Sequence, residues 1–242
     1  WRFLTLEAVS SRLADALAGI SALGFRGCIL AGPLREPAID LTTSASPAAQ
    51  FAAGCNLLEC TKDGQLVGHL TLGRGALDSI RLHVDPATTN ILLLGTNLLA
   101  RSLALELTLS GTSGITIADP WDGQAKGLAD AVNTIEGGHA TVVEDELPPT
   151  CESVDIVIAT EEIRPFPPNF HLPELREDLV VVDTSLDPKA SPILKAATAA
   201  NSCQVDGLEV TTATMAINFR SLTGIEPDTE ALREALDEFL DY

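Results

Sequence analysis

The amino-acid sequence predicts an α/β protein of two lobes, a short first lobe followed by a Rossmann-like lobe on a doubly wound parallel sheet. Three observations predict this. From Asn90 onward, uninterrupted apolar runs alternate with amphipathic helical stretches, the pattern of a parallel sheet covered on both faces. A glycine-opened turn follows the first of those runs. Before it, two apolar runs flank an Asp-Gly pair, the signal of an antiparallel hairpin.

The elements follow in order. Val9, Leu13, Leu17 and Ile20 share one helical face and predict a helix over 9–23, ended by Gly24. Residues 27–31 read as a buried strand stopped by Gly32-Pro33. A helical stretch covers 47–53, and strands cover 55–61 and 65–71 on either side of Lys62-Asp63-Gly64. These make the first lobe, 1–74. The second lobe, 75–206, holds strands at 90–94, 115–118, 140–143, 154–159 and 179–183, with helices to about 109 after the first strand, near 124–135 and over 191–201. Pro165-Phe166-Pro167-Pro168 reads as a local loop. A C-terminal unit, 207–242, contributes helices over 207–222 and 227–242 that pack back on the first lobe.

Composition narrows the function classes. The net charge of −19 opposes contact with phosphate backbones or anionic lipid, so direct nucleic-acid binding is not expected. No apolar run reaches the roughly 18 residues of a membrane span, and no leader peptide is visible. The chain opens at Trp1, which predicts a piece of something longer. The odd cysteine count (Cys28, Cys55, Cys60, Cys151, Cys203) in apolar segments predicts free thiols in a reducing cytoplasmic or nuclear setting. Cys55 and Cys60 lack a second ligand pair, and His69, His83, His139 and His171 are scattered, so no metal is expected.

Gly95-Thr96-Asn97-Leu98-Leu99-Ala100 stands where a dinucleotide fingerprint belongs, between strand and helix. Gly95 permits the tight turn and Ala100 the close helix–strand packing. Asn97 replaces the glycine that lets backbone approach a diphosphate. Asp119, about 24 residues after Gly95, stands where an acidic side chain bonds a ribose hydroxyl and repels a 2′-phosphate, favouring NAD over NADP. A plain strand-end turn at Asp119-Pro120 is the alternative. Weak NAD(P) affinity through Gly95, Thr96, Asn97 and Asp119 is the most this turn predicts, with no cofactor required.

The punctuation of the whole chain resembles the shikimate dehydrogenase family. Ile29-Leu30-Ala31-Gly32-Pro33-Leu34-Arg35 is similar to its NVTxPxK motif, Gly54-Cys55-Asn56-Leu57-Leu58 to GAVNT, and Gly68 through Gly75 to GxNTDxxG. The turn at Gly95–Arg101 is similar to GAGGAAR. Val182-Asp183 through Lys195 resembles the YNPxxTPLL region, and Gly207-Leu208-Glu209 and Leu222-Thr223-Gly224 bracket the family's glutamine-bearing helix. The opening SxSPxxHN strand is absent, so the resemblance implies a truncated substrate-type lobe.

The resemblance also places the family's chemistry on this sequence. Its acid–base lysine falls on Arg35 and its aspartate on Leu72. Its substrate-binding asparagine falls on Leu57 and its glutamine on Thr214. Arginine stays protonated and leucine cannot titrate, so Arg35 and Leu72 read as degenerate catalytic positions. Arg35, Thr71 and Thr214 remain to hold a ligand. For Arg35 a substrate carboxylate and an acidic partner, at the surface or between the lobes, stay equally open, whereas for the two threonines neutral packing is the favoured reading. Together these imply a catalytically inactive, regulatory module like the dehydrogenase-like domain of fungal quinate repressors. Such a module binds a transcriptional activator protein and a quinate- or shikimate-pathway metabolite. The alternative is an NAD(P)-dependent shikimate- or quinate-type oxidoreductase with an altered site, for which Glu36 and Glu59 are the nearest new acids.

Overall fold

The computed structural model describes residues 1–121, 123–143, 153–160, 167, 170–186 and 191–240. Cys151, most of the loop around Pro165–Pro168 and residues 187–190 lie outside them.

The first lobe begins with α1 (Leu13–Ala22), which buries Leu13 and Leu17. Its sheet is four-stranded, ordered β1-β3-β4-β2, from β1 (Gly27–Ile29), β2 (Ser44–Ala45), β3 (Leu57–Cys60) and β4 (Leu66–His69). The Asp-Gly pair turns β3 into β4 as its chemistry predicts, with Gly64 at φ 77° and Thr61 N–H donating to Gln65 O. The helix α2 (Pro47–Ala52) starts on a Ser46 cap whose hydroxyl accepts from Ala49 N, with proline at the first position. The two-residue β2 follows no sequence periodicity. It exists because Thr43 N and Ser46 N reach Leu66 O and Gly68 O of β4.

A helix that the sequence pattern did not predict joins the lobes: α3, Leu72–Ile80. Gly73 and Gly75 argue against a helix by propensity. Their use is steric. A Cβ on Gly73 would lie 2.4 Å from the backbone of Ser102, and one on Gly75 2.1 Å from Thr214 Oγ1. The missing side chains let α3 pass close to α4 (Leu98–Leu109) on one side and α7 (Gly207–Thr223) on the other.

The second lobe is a six-stranded, all-parallel sheet ordered β10-β9-β8-β5-β6-β7. Its strands are β5 (Asn90–Leu94), β6 (Gly114–Ala118), β7 (Ala140–Val142), β8 (Ile156–Ala159), β9 (Val180–Asp183) and β10 (Cys203–Val205). Between them come α4, α5 (Ala125–Val132) and α6 (Pro192–Ala200). The order in which the chain adds strands reverses between β5 and β8, the switch point at which open α/β sheets take ligands. Alternation along β5 divides the core. Ile91 and Leu93 join the cluster that continues into the first lobe through Leu77, Leu58 and Leu13, while Leu92 and Leu94 join Val157, Val181 and Ile193 beneath α6. Each fully buried leucine contributes about 1.5–3 kcal/mol. The long α7 ends on Gly224 in a left-handed cap and lays Leu222 against Gly27 of β1, and α8 (Thr229–Leu240) follows it. No helix among the described residues is long and apolar enough to cross a membrane.

Candidate functional site

In the first lobe the site is built from backbone outward. Ala53 closes α2 in the left-handed conformation, φ 55°, a position that glycine fills at no steric cost. The chain then runs through Gly54, Cys55 and Asn56 into β3, whose first residue, Leu57, is where the resemblance puts the family's asparagine. Leu57 is an apolar strand residue, 1% exposed. Asn56 is equally buried and anchors a polar knot. Its Oδ1 accepts from Thr71 N at 2.7 Å, and its Nδ2 donates to Thr71 Oγ1 at 2.8 Å. Thr71 Oγ1 donates onward to Asn218 Oδ1 on α7 at 2.7 Å. Asn218 stood in no motif, because its partner is 147 residues away.

The knot reaches Arg35 through the main chain. Leu30 N–H donates to Asn56 O at 2.8 Å, Arg35 Nε donates to Leu30 O at 3.1 Å, and Arg35 O accepts from Cys55 N at 2.9 Å. Among the described residues no carboxylate pairs with Arg35, so its terminal nitrogens keep their charge for something else. The neighbouring Glu36 is occupied instead, in an ion pair with Arg101 of α4 that clasps the two lobes. Glu59 faces Arg26 and His69 at 3.7 and 3.8 Å. Leu72 is the first residue of α3 and lies in the apolar core. Thr214 spends its hydroxyl on Val210 O at 2.9 Å and packs on Gly75, at the α3–α7 crossing.

The second lobe brings its turn to the same place. A Cβ on Gly54 would lie 2.7 Å from Leu98 Cδ1, so the segment leading to Asn56 rests on the first residue of α4. Gly95 makes the turn at φ 103°, a conformation that excludes side chains. Asn97 is the N-cap: its Oδ1 accepts from Ala100 N at 2.9 Å and its Nδ2 donates to Thr160 O beyond β8. Its side chain is thus turned onto the protein, and α4's first turn keeps backbone donors without intrahelical partners, a natural seat for a phosphate. Asp119, just past β6, accepts from Thr96 Oγ1 at 2.7 Å and Gln124 N at 2.8 Å. Past β9, Asp183 Oδ1 takes Ser185 N, while Asp183 Oδ2 and Thr184 Oγ1 are buried without partners. A glycine turn, an anion-seeking helix start, a carboxylate held just past β6 and unspent polar atoms at the strand ends fit a dinucleotide.

No protein-family model matches the chain. The shikimate dehydrogenase (NADP(+)) of Methanococcoides burtonii is 30% identical over 233 residues, spanning 95% of this chain and 84% of the relative. Among solved structures, the ligand-free 5-ketofructose reductase of a Gluconobacter strain superposes with a TM-score of 0.88 at 25% identity, covering 98% of this chain and 87% of that one. The shikimate 5-dehydrogenase of Listeria monocytogenes, in complex with shikimate and NAD, gives 0.84 at 22% identity, with coverage of 96% and 84%.

These findings overturn the expectation of an inactive regulatory module of the repressor kind. The relatives matched over nearly the whole chain are named as enzymes, and none of these three is a repressor. The expectation of no required cofactor goes with it, since the relatives are named or solved with NADP(+) or NAD. The physical reason is that counting the side chains lost at Arg35, Leu57, Leu72 and Thr214 cannot register a polar group such as Asn218, which meets Thr71 only in the folded chain. By whole-chain similarity and architecture, this chain belongs to the shikimate dehydrogenase family.

Proposed function

We propose that the protein is an NAD(P)-dependent oxidoreductase of the shikimate/quinate type with an altered active site, interconverting a hydroxyl and a ketone on a polyhydroxylated carboxylic acid. The observation that carries this reading is the continuous polar frame from Arg35 through Leu30 and Asn56 to Thr71 and Asn218, resting on the start of α4. When bound, the nicotinamide supplies or accepts hydride. The protein's own residues bind and orient. Arg35 offers a planar, permanent cation to a carboxylate or to negative charge developing on the reacting oxygen. Asn56, buried with both amide atoms on Thr71, holds the frame in place behind Arg35. With arginine at 35 and leucine at 72, no side chain there takes up the proton, and it passes to water. Asp119 places negative charge where a 2′-phosphate would lie and favours NAD.

The test is steady-state turnover of shikimate, quinate and 5-ketofructose against each nicotinamide cofactor, followed by nicotinamide absorbance. Turnover of a cyclic hydroxy acid with NAD, reduced by about 10²–10³ in Arg35→Ala, is the expected result. Absence of turnover with every pairing, together with no cofactor binding by calorimetry, overturns the reading.

A further inference from the structure

Away from the site just described, three side chains from separate elements form a relay. His83, in the turn after α3, holds Glu209 Oε1 at 2.9 Å through Nε2, and its Nδ1 faces Cys203 Sγ at 3.5 Å. Glu209 lies in the first turn of α7, where its N–H is capped by Asp206 Oδ1, while Asp206 Oδ2 lies 3.7 Å from Arg233. Cys203 opens the edge strand β10 and is exposed. The carboxylate can only accept, so it draws the imidazole proton to Nε2 and leaves Nδ1 as the acceptor facing the thiol. The thiol and the carboxylate contact opposite nitrogens of one ring and so do not converge on a common point. Consistent with this, the described residues contain no cluster able to hold a metal ion.

The remaining described cysteines show the contrast. Burial, then the Cys60 and Cys55 thiols, push Cys28 up to about 12. Burial pushes Cys55 up to about 11, and burial followed by the Glu59 charge raises Cys60. Those thiols pack in the first lobe and stay protonated. Cys203 alone among the described cysteines combines solvent access with a base oriented by a carboxylate, the arrangement that activates a sulfur nucleophile.

We infer that Cys203 is a thiol-modification site, activated by His83 and Glu209, that forms mixed disulfides with low-molecular-weight disulfides. The Cys203 proton passes to His83 Nδ1, and the thiolate attacks one sulfur of the incoming disulfide. The reagent's S–S bond breaks as the new one forms. Its second sulfur leaves as a thiolate and takes the proton back from His83. Two electrons move from Cys203 to the disulfide, and no other oxidant is needed.

The test uses the full chain at neutral pH with oxidised glutathione as the probe, quenched at intervals and mapped by peptide mass spectrometry. The mapping reads Cys203 separately from every other cysteine, Cys151 included. Cys203 is expected to react about tenfold faster than a cysteine in an unstructured peptide. His83→Gln brings it to the peptide rate and Glu209→Gln to a value between, while Cys28 and Cys55 stay unmodified. Should His83→Gln fail to fold, Glu209→Gln alone decides. A Cys203 rate equal to the peptide's, or unaltered in the folded variants, overturns the inference. Oxidoreductase turnover plays no part in the readout, so this result stands apart from the catalytic reading.

Discussion

The two lobes assemble their chemistry over different distances. In the second lobe most groups lie close in sequence: Gly95 N–H donates to Ala118 O, Thr96 bonds Asp119, and Asn97 caps α4 while reaching Thr160 past the neighbouring strand β8. In the first lobe the decisive contact joins Asn56 and Thr71 to Asn218, across the whole second lobe in sequence. A local site is expected to keep its geometry when Asn97 or Asp119 is replaced, because the strand–turn–helix path is imposed by the sheet. A site built from distant segments depends on how helices cross, and the crossing here is controlled by α3.

The largest effect is therefore expected at α3. Gly73→Ala forces a methyl group into the Ser102 backbone, which cannot swing aside as a side chain would, and should cost about 3 kcal/mol in urea unfolding. Next, Asn56→Leu leaves the Thr71 N–H and hydroxyl without their buried partner, and should cost about 2 kcal/mol while lowering turnover. A cost as small for Asn56→Leu as for an exposed residue would break the comparison. In the local site, Asp119→Ser should move the NAD/NADP ratio of kcat/KM about tenfold toward NADP with the fold retained. Asn97→Ala removes one cap and should cost about 1 kcal/mol.

The smallest effect concerns pH. Cys28 and Cys55 rise from an ordinary 9.0 to about 12 and about 11 in the folded protein. Above about pH 9 the unfolded chain releases these protons while the folded chain retains them. Stability therefore falls as pH climbs from about 9 through 11 and 12, and below 9 these thiols add no slope. Cys28→Ala should flatten that alkaline decline in chemical denaturation, and an unchanged slope would show that this thiol is not held neutral by the fold.

Much of the architecture was legible in the chain. Apolar runs at Asn90–Leu94, Ile156–Ala159 and Val180–Asp183 are strands because each is buried on both faces, and continuous apolarity records that directly. The Asp-Gly hairpin, the proline-started helices and the Gly224 cap follow from local backbone chemistry. Three elements were not legible. β2 and β10 are two and three residues long and are defined by their neighbours' hydrogen bonds. The helix α3 carries two glycines, so propensity argued against it. At the site, the turn at Gly95 was legible as the break between strand and helix, whereas the knot of Asn56, Thr71 and Asn218 was not, because only the fold brings its members together.

By itself the sequence determined what is written in short periods: strand and helix identity, the glycine turn after β5, the acid just past β6, and arginine and leucine rather than lysine and aspartate at positions 35 and 72. Tertiary structure alone decided which polar groups meet. Asn218 meets Asn56 through Thr71, and His83 meets Glu209, where α3 and α7 cross over Gly75 and Thr214, while Cys203 reaches His83 from β10. A crossing distance depends on two surfaces at once, and neither segment carries it alone.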